Sequence, residues 1–292
     1  MFDKIKNVLS ILAEIGKFRI TVMVAVSTSV GYILASGNFE MGMILPTLGV
    51  FLLASGSSAL NHYQERDLDA LMDRTRNRPI PAKKISAANV LFIAATYILS
   101  GSLILYFASN TEALLLGWLA VVWYNVIYTP MKRKFAMAVV PGSVIGAIPP
   151  VIGWAAAGGS LTNPQVYALA LFFFIWQIPH FWLLLLIHGK DYENAGFPTL
   201  TQIFNNSQLG RITYIWIAAL AVSVLLIPLF GIASSYFSIV LLMVLGLWLV
   251  ISMRNILSDY LEKIIFRKAF IKVNVYVLIV VILLSIDRLL LT

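Results

Sequence analysis

A chain of 292 residues with 60% hydrophobic side chains, only 12% charged ones and a mean hydropathy of +0.88 carries about half the charge of a soluble domain and reads as a membrane protein. Having no cysteine, it is excluded from disulfide, thiolate-metal and cysteine-nucleophile chemistry. The net charge of +8 would suggest nucleic acid in a soluble chain, but here it is assigned to orientation in the lipid bilayer, and no nucleic-acid partner is expected.

The first segment, MFDKIKNVLSILAEIGKFRI, has no small-residue cleavage site behind a short apolar core and no Arg/Ser-rich transit pattern, so the mature chain is expected to start at Met1, as in a bacterial protein. A bilayer core about 30 Å thick needs roughly 20 apolar residues per helix. Nine such runs follow, at 19–36, 42–61, 86–107, 113–129, 137–157, 165–187, 211–230, 236–253 and 270–290. Period-2 alternation is absent, which argues against a transmembrane β-barrel. The expected architecture is all-α and polytopic: nine transmembrane helices in one bundle, a single domain over 1–292. With the N-terminus in the cytoplasm, the inner segments are 1–18, 62–85, 130–136, 188–210 and 254–269. These and the turns flanking them hold all of the 21 Lys and Arg except Arg288. The outer loops GNFEM, SNTE, GGSLTNP and GIASSYF hold none, an asymmetry that predicts the nine-helix count and the inward N-terminus. The long polar loops 62–85 and 188–210 then place any chemistry at the cytoplasmic face of a bacterial plasma (inner) membrane.

The second run leads into NHYQERDLDALMDRTRNRP, Asn61 to Pro79, which carries four acidic and four arginine side chains. Asn61, Glu65 and Asp69 are spaced i, i+4, i+8 and form one line on a helix. Like charges so placed repel, and near lipid they are costly unless used. An amide and two carboxylates suit Mg²⁺, which takes few protein carboxylates and shares its shell with substrate phosphate oxygens. Arg74, Arg76 and Arg78 follow and suit bidentate phosphate binding; Pro79 and Pro81 close the helix. The alternative is a structural ion-pair cluster in which the arginines neutralise the carboxylates. Asp67 falls on another face.

At the next inner boundary, Tyr124, Asn125 and Tyr128 share the inner end of the fourth run, and Lys132 and Arg133 are placed for a diphosphate or a propionate. Gly146 with Pro149 and Pro150 permits close helix packing and a break lining a cavity. In FIWQIPHFWLLLLIHGKDYENAGFP, Gln177 and His180 lie within an apolar helix. An intramembrane His is a functional candidate by default, with a helix-to-helix hydrogen bond as the competing role. His62 and His188 read as interfacial, and Asp259, Glu262 and Lys263 as a solvated helix face.

Asn61, Glu65 and Asp69 followed by Met72, Arg74, Thr75, Arg78 and Pro79 resemble the first signature of the UbiA superfamily of intramembrane prenyltransferases. The version here is most similar to its haem O synthase branch. That branch is also resembled by Tyr128, Thr129, Lys132 and Arg133 with Gly146, Ala147, Pro149, Pro150 and Gly153. A third set is Trp176, Gln177, Pro179, His180, Phe181 and Trp182 with Asp191, Tyr192, Ala195, Gly196 and Pro198. Between the two halves of the second set, after Arg133 and before Gly146, stands FAMAVVPGS, where the branch usually carries polar residues. Many relatives carry a second acidic pair, but here Ala195 stands four residues after Asp191, a departure that also favours the haem branch. The resemblance implies transfer of a farnesyl group from farnesyl diphosphate to a vinyl group of haem B, giving haem O, with Mg²⁺ on Asn61, Glu65, Asp69 and Asp191. It implies Arg74, Arg78 and Lys132 on the diphosphate, and Tyr124, Asn125, Tyr128, Arg133, Gln177, His180, Lys190 and Asp191 around the substrates, with Lys190 or Glu193 assisting Asp191. His180 would help hold haem, by ligating the iron or by another contact. Contact with a haem A synthase or terminal oxidase assembly is an expected association. Rival readings are prenylation of a quinone precursor or chlorin, an ion-coupled transporter, and a non-catalytic haem scaffold.

Overall fold

A computed structural model describes residues 2–258 and 263–291. Among these residues there is no strand, and nine helical spans are long and apolar enough to cross a membrane. A short helix precedes them, α1 (Phe2–Ile15). The spans are built on α2 (Phe18–Ser36), α3 (Ile44–Asp69), α4 (Ala87–Ala108), α5 (Thr111–Val122), α6 (Val144–Ala156), α7 (Pro164–Asn194), α8 (Asn206–Ser223), α9 (Tyr236–Ser252) and α10 (Lys263–Ile286). The expected Asp259 and Glu262 face lies outside the described residues.

Local chemistry sets the ends of these helices. Ser86 and Asn110 cap α4 and α5 by accepting from the backbone N–H groups of Asn89 and Ala113, and Asn205 with Gln208 forms a reciprocal capping box on α8. Each satisfies N–H groups that the first helical turn leaves without partners. Gly37 closes α2 in the left-handed conformation at φ 74°, which a residue without Cβ adopts freely.

Helices in lipid gain little from hydrophobic exclusion, so close backbone approach through small residues carries the packing. The α2–α6 seam shows this in its tightest form. A Cβ on Gly31 would lie 1.9 Å from the Pro150 carbonyl oxygen, and one on Gly153 would lie 1.8 Å from that of Thr28. Gly56 on α3 meets the Ala94 carbonyl of α4 in the same way. Phe92, Phe107 and Tyr236 stand exposed on the outside, as an apolar solvent allows.

Three differences from the sequence expectation bear on the site. The second span does not stop at Asn61 but continues as one helix to Asp69. The sixth runs past 187 to Asn194, with a break at His188 (φ −117°, ψ 15°), so Lys190 and Asp191 stand on a helical turn rather than in a loop. Lastly, the first residues form α1 and reverse into α2 through Lys17, whose backbone is left-handed at φ 48°; a Lys there gave no turn signal of the Gly or Asn kind.

Candidate functional site

Asn61, Glu65 and Asp69 lie along the last two turns of α3 and are 1%, 4% and 0% exposed. Each meets a basic side chain from a different part of the chain. Lys17 Nζ donates to Asn61 Oδ1 at 3.1 Å. Lys132 Nζ lies 2.7 and 2.8 Å from the two Glu65 carboxylate oxygens. Arg78 Nη1 donates to both Asp69 oxygens, at 2.7 and 2.8 Å. The backbone that delivers Arg78 turns back over the end of α3, where Thr75 Oγ1 donates to the Asp69 carbonyl at 2.9 Å and Arg78 N–H to the Thr75 carbonyl at 2.9 Å. The contacts of the ion-pair reading are present here, on the same side chains that the substrate-site reading names.

Lys17 is the member that sequence reasoning missed. It lies 44 residues before Asn61, so no helical spacing links them, and it counted only toward inner charge. Burial, then the nearby Arg78 and Lys132 cations, push its pKa down to about 7 against the opposing pull of Glu65 and Asp69. Arg78, Lys132 and a Lys17 amine whose charge is held down by burial and by those two cations thus face two carboxylates in a buried place, and a bound polyanion would favour the charged form of Lys17.

On the neighbouring helix, the chain at Trp123–Tyr128 widens into a π-turn, a feature common at functional sites. Asn125, expected to face substrate, instead uses its polar atoms as a clamp between α5 and α3. Its Oδ1 accepts from Ser57 Oγ, and its Nδ2 donates to the Ser57 carbonyl at 2.9 Å and to Gln64 Oε1 at 3.2 Å. Gln64 Nε2 returns a bond to the Asn125 carbonyl at 3.0 Å, and Arg133 Nη2 donates to the Gln64 carbonyl at 2.6 Å. Asn61 Nδ2 reaches Thr129 Oγ1 at 3.2 Å. Tyr124 and Tyr128 stack at 6.0 Å, the Lys132 ammonium sits 5.6 Å from the Tyr128 ring centre, and Phe181 of α7 lies 6.5 Å beyond. This aromatic wall adjoins the charged row, because Lys132 belongs to both.

The two expected loops meet. Arg74 Nη2 donates to Tyr192 Oη at 3.2 Å, while Met72 is buried with Ala195 and Phe197. Asp191, half-buried, precedes Tyr192 on the last turn of α7 beside exposed Lys190; neither forms an ion pair among the described residues. Glu193 is taken up by Thr199 Oγ1 at 3.0 Å and by Thr201, so it ties the turn after α7 rather than assisting Asp191. Arg76 pairs with exposed Asp73, and Arg66 with Asp67, which leaves Arg74 and Arg78 as the arginines that this stretch contributes to the site.

Higher on α7, Gln177 packs against Gly146, where a Cβ would lie 2.2 Å from Gln177 Cγ. His180 Nδ1 lies 2.8 Å from Asn274 Oδ1 of α10, among the rings of Phe270, Trp176 and Phe181. His62 corrects an expectation: it is 2% exposed rather than interfacial, with neither ring nitrogen hydrogen-bonded. Its face of α3 lies inside the bundle because α3 runs on past it.

The ligand atoms that Asn61, Glu65 and Asp69 could offer a cation are oxygens, the kind a hard cation takes, although each now meets a basic side chain. No group of three or more His, Asp and Glu suited to a metal occurs among the described residues. A cation held by Glu65, Asp69 and the Asn61 amide would have to draw its other ligands from elsewhere, such as a phosphate.

Residues 24–274 match the UbiA prenyltransferase family. A protoheme IX farnesyltransferase of Geobacter sulfurreducens is 41% identical over 218 residues, covering 74% of this chain and 80% of the relative. One from Oleidesulfovibrio alaskensis is 34% identical over 94% of both chains. The fold matches a UbiA homolog from Archaeoglobus fulgidus solved with GPP and Mg²⁺, at a TM-score of 0.68 and 14% identity over 94% of this chain and 99% of that one.

Proposed function

The chain belongs to the UbiA prenyltransferase family, and on that premise we propose that it transfers a farnesyl group from farnesyl diphosphate to a vinyl group of haem B, giving haem O. The observation that carries this reading is the buried row Asn61, Glu65 and Asp69 with one basic partner on each. Such a row has no purpose in a haem scaffold, and it stands at one end of the bundle rather than at the midplane an ion path would use.

Arg78 and Lys132 hold the diphosphate once it displaces them from the carboxylates, and Arg74 closes over it from the side of Tyr192. Lys17 adds a fourth positive charge from the α1–α2 turn. Glu65, Asp69 and Asn61, with Asp191 as a further carboxylate, would hold Mg²⁺, whose positive charge would offset the negative charge that builds on the departing oxygens. The farnesyl C1–O bond breaks and its electron pair leaves with the diphosphate. The vinyl π pair then forms the new C–C bond at C1, and water adds to the resulting cation beside the porphyrin, losing a proton. The rings of Tyr124, Tyr128 and Phe181 border the row and keep water from the allylic cation until the vinyl group has reacted. Gln177, beside Gly146, and Arg133, beside Gln64, border the acceptor side, with Lys190 at its rim. The protein works in a bacterial plasma membrane with this end of the bundle toward the cytoplasm, where the basic residues gather, and contact with a haem A synthase or terminal oxidase assembly is its proposed association.

Purified protein given haem B, farnesyl diphosphate and Mg²⁺ is expected to yield a porphyrin heavier by one farnesyl and one hydroxyl, and none after chelation of the metal. Product formation unaffected by chelation would remove the metal from the reading. Lys17→Met is expected to raise KM for farnesyl diphosphate about 10-fold or more, since a hydrogen bond to a charged group contributes roughly 1.5–3 kcal/mol. KM for haem B should stay unchanged; a rise in the haem KM alone would place Lys17 on the other substrate.

A further inference from the structure

We propose that Asn274 fixes the tautomer of His180, leaving the lone pair on Nε2 as the ligand for the iron of a haem acceptor. The inference rests on the haem reading above and adds a positioning residue from α10, a helix that plays no part in the diphosphate row.

The carboxamide of Asn274 has a donor end and an acceptor end. Its Nδ2 donates to the Phe270 carbonyl, one turn earlier, at 2.6 Å. That bond decides which way the amide points, so Oδ1 is the end that lies 2.8 Å from His180 Nδ1. An amide oxygen only accepts. The contact is a hydrogen bond only if Nδ1 carries the hydrogen, and in a neutral imidazole the lone pair then resides on Nε2. Phe270 at 4.8 Å, Trp176 at 5.2 Å and Phe181 at 5.4 Å between ring centres restrain rotation of the imidazole. Metal-bound histidines characteristically donate their second nitrogen to an acceptor that fixes the ring and raises its basicity. Neutral imidazole is a standard axial ligand of haem iron.

A plain α7–α10 clamp would use the same bond but would leave no mark on a bound haem. The test is haem B titration of the full-length protein in lipid nanodiscs, read by absorption and electron paramagnetic resonance spectra and by the iron reduction potential. Asn274→Leu is expected to weaken haem binding about 10- to 100-fold, the range for loss of an outer-shell partner, and to change the spectrum. Asn274→Asp is expected to restore binding and lower the reduction potential, because an anionic acceptor makes the imidazole a stronger donor. His180→Ala should abolish the histidine-ligated spectrum. Thermal melts and farnesyl diphosphate binding check that each variant is folded.

A folded Asn274→Leu protein with wild-type haem affinity and spectrum overturns the proposal. If that variant does not fold, Asn274→Asp decides alone, and an unchanged reduction potential overturns it. A haem spectrum that survives His180→Ala overturns the ligand role while leaving the haem reading intact. Wild-type protein that binds no haem overturns both.

Discussion

Asp69→Asn is expected to lower turnover by about 10²- to 10³-fold at saturating Mg²⁺ and farnesyl diphosphate, the usual cost of removing one preorganised charge from a transition state. Volume and helix position are nearly preserved, so the effect isolates the charge. In the resting protein that charge is held by Arg78 at 2.7 and 2.8 Å, with Asp69 fully buried. Removing one partner of a buried pair leaves the other uncompensated, at about 3–5 kcal/mol. A thermal melt must therefore accompany the kinetics, and turnover is compared per folded molecule. Restored stability without restored turnover in the double variant Asp69→Asn, Arg78→Gln would separate the two roles. Wild-type turnover in Asp69→Asn would leave this cluster as ion pairing alone.

Gly153→Ala is expected to prevent assembly of the bundle. The added Cβ would lie 1.8 Å from the Thr28 carbonyl oxygen and 2.8 Å from the Tyr32 nitrogen, both backbone atoms of α2. A side chain can rotate away, but helix backbone cannot, so α2 and α6 must separate and give up the contact that lipid does not replace. Gly189→Ala is the control, with nothing nearer than 3.7 Å and only the Thr201 side chain there. Gel filtration in detergent should show aggregated or unfolded Gly153→Ala beside monodisperse Gly189→Ala. Equal elution and equal melting of the two would mean that the seam is looser than described.

Much of the fold was legible because lipid imposes length and polarity on each span. Runs of apolar residues located all nine spans, and the i, i+4, i+8 spacing placed Asn61, Glu65 and Asp69 on one face before α3 was known to continue that far. The partners of that row were partly legible. Arg78 lies nine residues beyond Asp69, and Lys132 stood in a recognisable cluster. Lys17 did not, because its approach to Asn61 depends on the α1–α2 reversal at φ 48°, a tertiary event with no local signature. Asn125 was placed on the substrate side with Tyr124 and Tyr128 at the inner end of the fourth run, and within the π-turn it bonds Ser57 and Gln64. His180 was legible as a functional histidine, and Asn274, 94 residues later, was invisible. Pairings between distant helices, unlike spans, leave no period in a single chain.

Haem, rather than a phenolic compound, is the acceptor proposed for this site. That assignment is tested most directly by one reaction containing haem B and 4-hydroxybenzoate at equal concentration with farnesyl diphosphate and Mg²⁺, resolved by mass. The farnesyl group is expected on the porphyrin together with a hydroxyl, with none on the benzoate. Farnesylated benzoate and unmodified haem would contradict the assignment.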